Sequence, residues 1–326
     1  MDGKIGLEEH FAHPDTLALS EVYFTADVWP DMRKRLLDMA EVRLKQMDQY
    51  GMEYMIVSLN SPAIQAITDK DRARDVARRA NDLLAEHVQK RWDRFRAFAA
   101  LPMQEPDEAT TEAYRCVRDL SFVGALVNGY SQIGDEDTAV YLDDRRYRPF
   151  WAEFATLDVP FYLHPRDPLP SQSRIYEGHP WLLGSAWAFN VETATHALRL
   201  MGTGLFDEHP RLTVILGHLG EGLPFLIWRI DHRLRTAPRG LPAKQPFSRY
   251  LSENFFLTTS GNFRTQTLID TMLEVSSDRI LFSADYPFER VEDAATWFDV
   301  ASISETDRLK IGRANAAKLF KIGGSS

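Results

Sequence analysis

The sequence is nearly without cysteine: one, Cys116, in 326 residues. That excludes an intramolecular disulfide and any zinc module built from cysteine pairs. It also lacks an excess of positive charge. With 38 Lys and Arg against 47 Asp and Glu the formal net charge is −9, and no basic run offsets it. Nucleic acid is therefore not an expected partner. No stretch reaches the ~18 uninterrupted apolar residues of a membrane helix, so no membrane span is expected. The first residues, Met1-Asp2-Gly3-Lys4-Ile5, show no basic segment followed by an apolar one. With a free thiol, this points to the cytoplasm. No phosphate loop and no Gly-x-Gly-x-x-Gly string follows an apolar run, which weakens a dinucleotide-binding sheet.

What is present is a recurring unit: a short apolar run, a polar residue at its end, then a helix-like segment. The runs cover residues 4–7, 54–59, 95–101, 123–127, 159–163, 212–217, 254–258 and 279–283. Each has strand length and polar or turn-forming borders. Helical spacing predicts helices over 31–50, 71–90, 108–120, 187–201, 224–235, 265–275 and 294–301, with a last one over 305–319. Eight strand–helix units in a chain of this length predict a single α/β domain spanning residues 1–326. The expected fold is a (β/α)₈ TIM barrel with a C-terminal helix. Long connections after strands 1 and 5, residues 11–30 and 166–186, fall on the face where barrel sites lie.

The strand ends carry the chemistry. The first ends in Glu8-Glu9-His10, the fourth at Asn128, the fifth at His164, the sixth at His218, and the eighth runs into Asp285. In an extended segment residues 8 and 10 point the same way and residue 9 the opposite way. Of the nine histidines only His10, His164 and His218 directly follow an apolar run. Glu8, His10, His164 and Asp285 are thus candidate ligands of one divalent ion. Two imidazoles and two carboxylates without a thiolate suit Zn²⁺ or Mn²⁺, and the pattern does not choose between them. Asn128 either donates to a substrate oxygen or caps the turn that follows it. Tyr23, Phe189 and Phe288 either wall a flat ring or pack in the core and loops, and the same holds for Phe11.

The strings Leu7-Glu8-Glu9-His10-Phe11, Leu163-His164-Pro165-Arg166, Leu216-Gly217-His218-Leu219-Gly220-Glu221 and Ser283-Ala284-Asp285-Tyr286-Pro287-Phe288-Glu289 span nearly the whole chain. With them the sequence resembles the amidohydrolase superfamily and, within it, the branch that decarboxylates hydroxybenzoates. Two departures from the wider superfamily stand out: Glu8-x-His10 replaces His-x-His, and Asn128 stands where binuclear members place a modified lysine. Both favour one metal ion.

The resemblance implies one divalent cation per subunit on Glu8, His10, His164 and Asp285, and no organic cofactor. It implies that His218, oriented by Glu221, acts beside the metal with Asp285, and it places Arg229 near the substrate. The implied substrate is a small aromatic acid, with 2,6-dihydroxybenzoate ahead of 2,3-dihydroxybenzoate and salicylate. The implied assembly is a homotetramer or dimer. A hydrolase of a lactone or amide would use the same ligands and is the nearest rival.

Overall fold

The computed structural model describes residues 1–323. Eight strands form one sheet: β1 (Lys4–Phe11), β2 (Met52–Leu59), β3 (Phe95–Ala100), β4 (Gly124–Asn128), β5 (Phe161–His164), β6 (Val214–Leu216), β7 (Phe255–Thr258) and β8 (Ile280–Leu281). They lie in chain order, and every paired neighbour is parallel. The expected barrel is what forms.

Its strands are buried on both faces, which is why they read as continuous apolar runs rather than as alternating ones. Ile5, Leu7, Ile56, Phe98, Leu126, Tyr162, Ile215 and Leu281 fill the inside, and Ala316, Phe320 and Ile322 plug it from below. The outward set, including Val57, Ala97, Val127, Leu163 and Leu216, packs under the helices. Parallel registers bring chemically distinct residues level, with His10 opposite Ser58 and Asn128 opposite His164. No ladder joins β8 to β1 among the described residues. The seam is held instead by the His10 N–H donating to the Tyr286 carbonyl at 2.6 Å and the Glu8 N–H donating to Ser283 Oγ at 2.8 Å.

Several elements differ from the sequence expectation. The first strand continues past residue 7 to Phe11, so Glu8 and His10 lie within it. The helix expected over 31–50 is two, Trp29–Leu37 and Glu41–Gln49. Asp38 divides them: its carboxylate accepts the Glu41, Val42 and Arg43 N–H groups at 2.9 Å each, starting a new helix at a new angle. Helices Arg148–Thr156 and Phe247–Asn254 are not anticipated by the sequence. The first is rich in aromatics of weak helix propensity, and burial of Phe150, Trp151 and Phe154 decides it. The second is started by a distant carboxylate, Asp231, which accepts the Phe247 and Ser248 N–H groups at 2.7 and 3.0 Å. In the last helix, residues Lys310–Ala314 form a π-turn. There the Ile311 carbonyl accepts from the Phe282 N–H just beyond β8.

The helix Ala188–Gly202 carries a fully buried His196, whose Nε2 accepts the Leu142 N–H at 2.9 Å. Burial lowers its pKa from 6.5 to about 3. The unfolded chain takes up this proton below 6.5 and the native one only near 3, so this residue's contribution to stability falls as pH drops through that window. The slope is about 1.4 kcal/mol per pH unit. Urea unfolding of His196→Gln should show a flatter pH dependence over this range than the parent protein; parallel curves would refute the assignment.

Candidate active site

Glu8 and His10 project from β1, His164 ends β5, and Asp285 follows β8. One ligand atom from each of the four lies within 4.8 Å of the others. His10 Nε2 stands 3.3 Å from Asp285 Oδ1, and His164 Nε2 stands 3.2 Å from Glu8 Oε1. Three of these atoms, Glu8 Oε1, His10 Nε2 and Asp285 Oδ1, are buried with no hydrogen-bond partner among the described residues. Orphaned buried polar atoms are expensive, and several converging on one point define a cation site. The tautomer of His164 agrees. Its Nδ1 lies 3.0 Å from the Pro165 carbonyl, so that nitrogen carries the proton and Nε2 presents a lone pair. Burial lowers the pKa of His10, leaving it the neutral imidazole that a metal requires. The donor set of two nitrogens and two carboxylates fits a borderline divalent ion.

Glu8 is the hub. Its Oε2 accepts hydrogen bonds from the Tyr162 hydroxyl, the Ser260 hydroxyl and, at 3.1 Å, Thr258 Oγ1, so Oε1 alone faces the ion site. A Cβ at Gly217 would sit 2.8 Å from Oε2, so only glycine leaves room for this carboxylate. Burial opposes the charge on Glu8, but the facing groups, His218 foremost, hold the carboxyl well below its usual range.

His218 follows β6 on a turn in which His218, Leu219, Gly220, Glu221 and Gly222 all have positive φ. For the three non-glycine residues this backbone is strained, at about 1–2 kcal/mol each. In exchange, the turn brings Glu221 Oε1 to 2.7 Å from His218 Nδ1, which aims Nε2 inward. That Nε2 lies 3.7 Å from both Glu8 Oε1 and Asp285 Oδ2. Burial alone would lower the pKa of His218; the facing Glu221, Glu8 and Asp285 carboxylates raise it well above the usual value. These carboxylates favour the protonated form of His218 beside the ion site.

Above these groups lies a cavity of about 630 Å³, lined by Tyr23, Phe189 and Phe288 together with His164, His218 and Asp285. Phe288 packs 5.4 Å from the His10 ring, and Tyr23 meets Phe189 edge-on at 6.0 Å. Phe11 is core instead, 1 % exposed. Asn128 is buried at the end of β4. Its Nδ2 donates to the Asn60 and Pro62 carbonyls at 3.2 and 3.5 Å, leaving Oδ1 without a partner. Its donors tie strand ends together, and the residue is not among those lining the cavity, so the structure favours its role at the strand ends over a substrate contact.

Arg229 is not brought to this cavity. The helix Leu223–Thr236 buries Leu223, Pro224, Ile227 and Asp231 against the barrel. Two residues past Ile227, about 200° round the helix, Arg229 faces outward on the same side as Phe225. Two carboxylates close to it in the chain are engaged elsewhere, Asp231 as a cap and Glu221 on His218.

The sequence reading misses the hydroxyls that hold Glu8 and the Ser58 hydroxyl 3.2 Å from His10 Nδ1. A signal for them exists. Tyr162 lies two residues before His164 and Ser260 two after Thr258, the period of one strand face.

An eight-stranded parallel barrel with a mononuclear cluster at the C-terminal ends of its strands defines a class. The profile described as Amidohydrolase matches residues 10–322, and the chain belongs to that family. It is 62 % identical, over the full length of both chains, to gamma-resorcylate decarboxylase of Rhizobium sp. strain MTP-10005. A crystal structure of 2,6-dihydroxybenzoate decarboxylase complexed with 2,6-dihydroxybenzoate superposes with a TM-score of 0.97 at 62 % identity, over 98 % of this chain and 100 % of that one. A dihydroxybenzoic acid decarboxylase from Polaromonas sp. JS666, with bound manganese and 2-nitroresorcinol, gives 0.97 at 58 % identity, over 100 % of this chain and 98 % of that one.

Removing one ligand should empty the ion site without unfolding the barrel. Protein purified in Mn²⁺ is expected to hold about one ion per chain, and His164→Ala to hold almost none. Elemental analysis alongside circular dichroism reads this; full occupancy in the variant would remove His164 from the ligand set.

Proposed function

We propose that this protein is a metal-dependent, non-oxidative and reversible decarboxylase of ortho-hydroxybenzoates, converting 2,6-dihydroxybenzoate to resorcinol and carbon dioxide. The observation that carries this reading is the Asp285–His218 pair, 3.7 Å apart beneath an aromatic-walled cavity, in a chain 62 % identical to gamma-resorcylate decarboxylase.

Direct loss of carbon dioxide would leave an aryl carbanion in an orbital that the ring cannot stabilise. Protonating the carbon that bears the carboxylate avoids this, and an ortho oxygen supplies electron density to that carbon. A divalent cation on Glu8, His10, His164 and Asp285 would supply chelation of the carboxylate and the ortho oxygen and spread the negative charge. Asp285 takes the proton of the ortho hydroxyl as the substrate settles and delivers it to the ring carbon. The carbon–carboxylate bond then breaks, its electron pair returns to the ring, carbon dioxide departs, and the phenolate left at the ortho oxygen takes a proton from solvent to give resorcinol. The His218 imidazolium, held by Glu221, hydrogen-bonds the anion and balances its charge. Tyr23, Phe189 and Phe288, which line the cavity, orient the ring.

The enzyme works as one domain, supported by the single plugged barrel. No helix among the described residues is long and apolar enough to cross a membrane. The reading extends to a cytoplasmic homo-oligomer. The free, buried thiol of Cys116 supports the first, and the outward Phe225, Trp228 and Leu273, 81, 68 and 82 % exposed, support the second.

Incubation with 2,6-dihydroxybenzoate should yield resorcinol and carbon dioxide, and concentrated bicarbonate should drive carboxylation of resorcinol. Asp285→Asn should abolish turnover, at least about 10³-fold, with the fold retained. Product identification by chromatography checks both. Hydrolysis of a lactone without any decarboxylation would overturn the reading.

A further inference from the structure

Among the described residues the seam between β8 and β1 has no ladder, yet it carries three of the four groups of the ion site, Glu8, His10 and Asp285. The residue between Glu8 and His10 occupies that seam. Glu9 is fully buried and points away from the site. Its Oε1 accepts the Ala284 N–H at 3.0 Å and the Ser283 hydroxyl at 3.2 Å; its Oε2 accepts the Tyr286 N–H at 3.2 Å. Those two N–H groups flank Asp285, whose φ of +77° is foreign to an aspartate unless its surroundings impose it.

The neighbourhood is shaped for this carboxylate. A Cβ at Gly6 would come within 2.4 Å of Glu9 Oε1, and the β1–β2 register is interrupted between Gly6 and Glu9. Arg43, also fully buried, donates to the His10 carbonyl and lays its guanidinium 4.7 Å from the centre of the Tyr286 ring.

We propose that Glu9 is a positioning residue: its carboxylate stands in for the missing strand ladder, fixes the backbone on both sides of Asp285, and so sets the spacing of Asp285 and His10 that a metal ion needs. Arg43 completes the clamp from the His10 side. The inference rests on the metal-site reading above. A carboxylate is required because acceptors are needed on both sides. Glutamine at this position would turn an amide N–H₂ toward either Ala284 or Tyr286, two donors facing each other.

The test is Mn²⁺ titration, followed by electron paramagnetic resonance, of the parent protein, Glu9→Gln and a control. The control is Glu112→Gln, another buried carboxylate, bonded to Asn81 and Arg115 on the outer helix Pro106–Arg118. Glu9→Gln should weaken Mn²⁺ binding by about 10–100-fold, with activity recovering as Mn²⁺ is raised. Glu112→Gln should change it less than about twofold even where its melting temperature falls as far. Should Glu9→Gln fail to fold, Gly6→Ala, which pushes on the same carboxylate without removing it, should weaken Mn²⁺ binding in the same direction. Unchanged affinity in the folded variant, or an equal loss in the control, overturns the clamp. A parent protein that binds no Mn²⁺ overturns the metal-site reading itself.

Discussion

The architecture depends on keeping one ionised carboxylate, Glu8, at the centre of a barrel where no water reaches it. An unpaired charge there would cost several kcal/mol even after relaxation. The protein answers with three hydroxyls on one oxygen and, facing the other, His218 and the ion site that His10 and His164 border. These partners come from β5, β7 and the turns after β6 and β7, as well as from β1 itself. Only parallel strands, all ending at one mouth, can deliver side chains from such distant points in the chain to a single oxygen.

The same mouth concentrates conformational strain. Four of the ten non-glycine residues with positive φ among those described, His218, Leu219, Glu221 and Asp285, lie in the segments that carry the candidate reactive groups. Such strain persists only where the surroundings over-determine it. Here the supports are visible: Glu221 on His218, and the Glu9 carboxylate on either side of Asp285.

Local charge also resolves the apparent conflict between a net −9 surface and an anionic substrate. Surface charge is screened over ~8 Å at physiological salt. Inside the cavity the balance is set by His218 and by the cation that the four-residue cluster could hold. Arg229 takes no part in that balance within a single chain, because it rides on the outward face of its helix.

The fold and the meeting of Glu8, His10, His164 and Asp285 at one mouth were legible in the sequence because they are written in local patterns. Eight apolar runs define eight strands buried on both faces, and a two-residue period puts Glu8 and His10 on one side. The pairing of His218 with Glu221 spans three residues of one turn. What the tertiary structure alone decided joins residues far apart in the chain: Asp231 starting the helix at Phe247, Tyr162 and Ser260 closing on Glu8, and the seam that sets Asp285 against His10. The direction of Arg229 belongs here too, since which face of a helix meets the barrel is settled by packing. Sequence determines what a strand or turn presents locally. Which partners meet it across the barrel follows from burial, where every charge and every N–H must find its counterpart in space rather than along the chain.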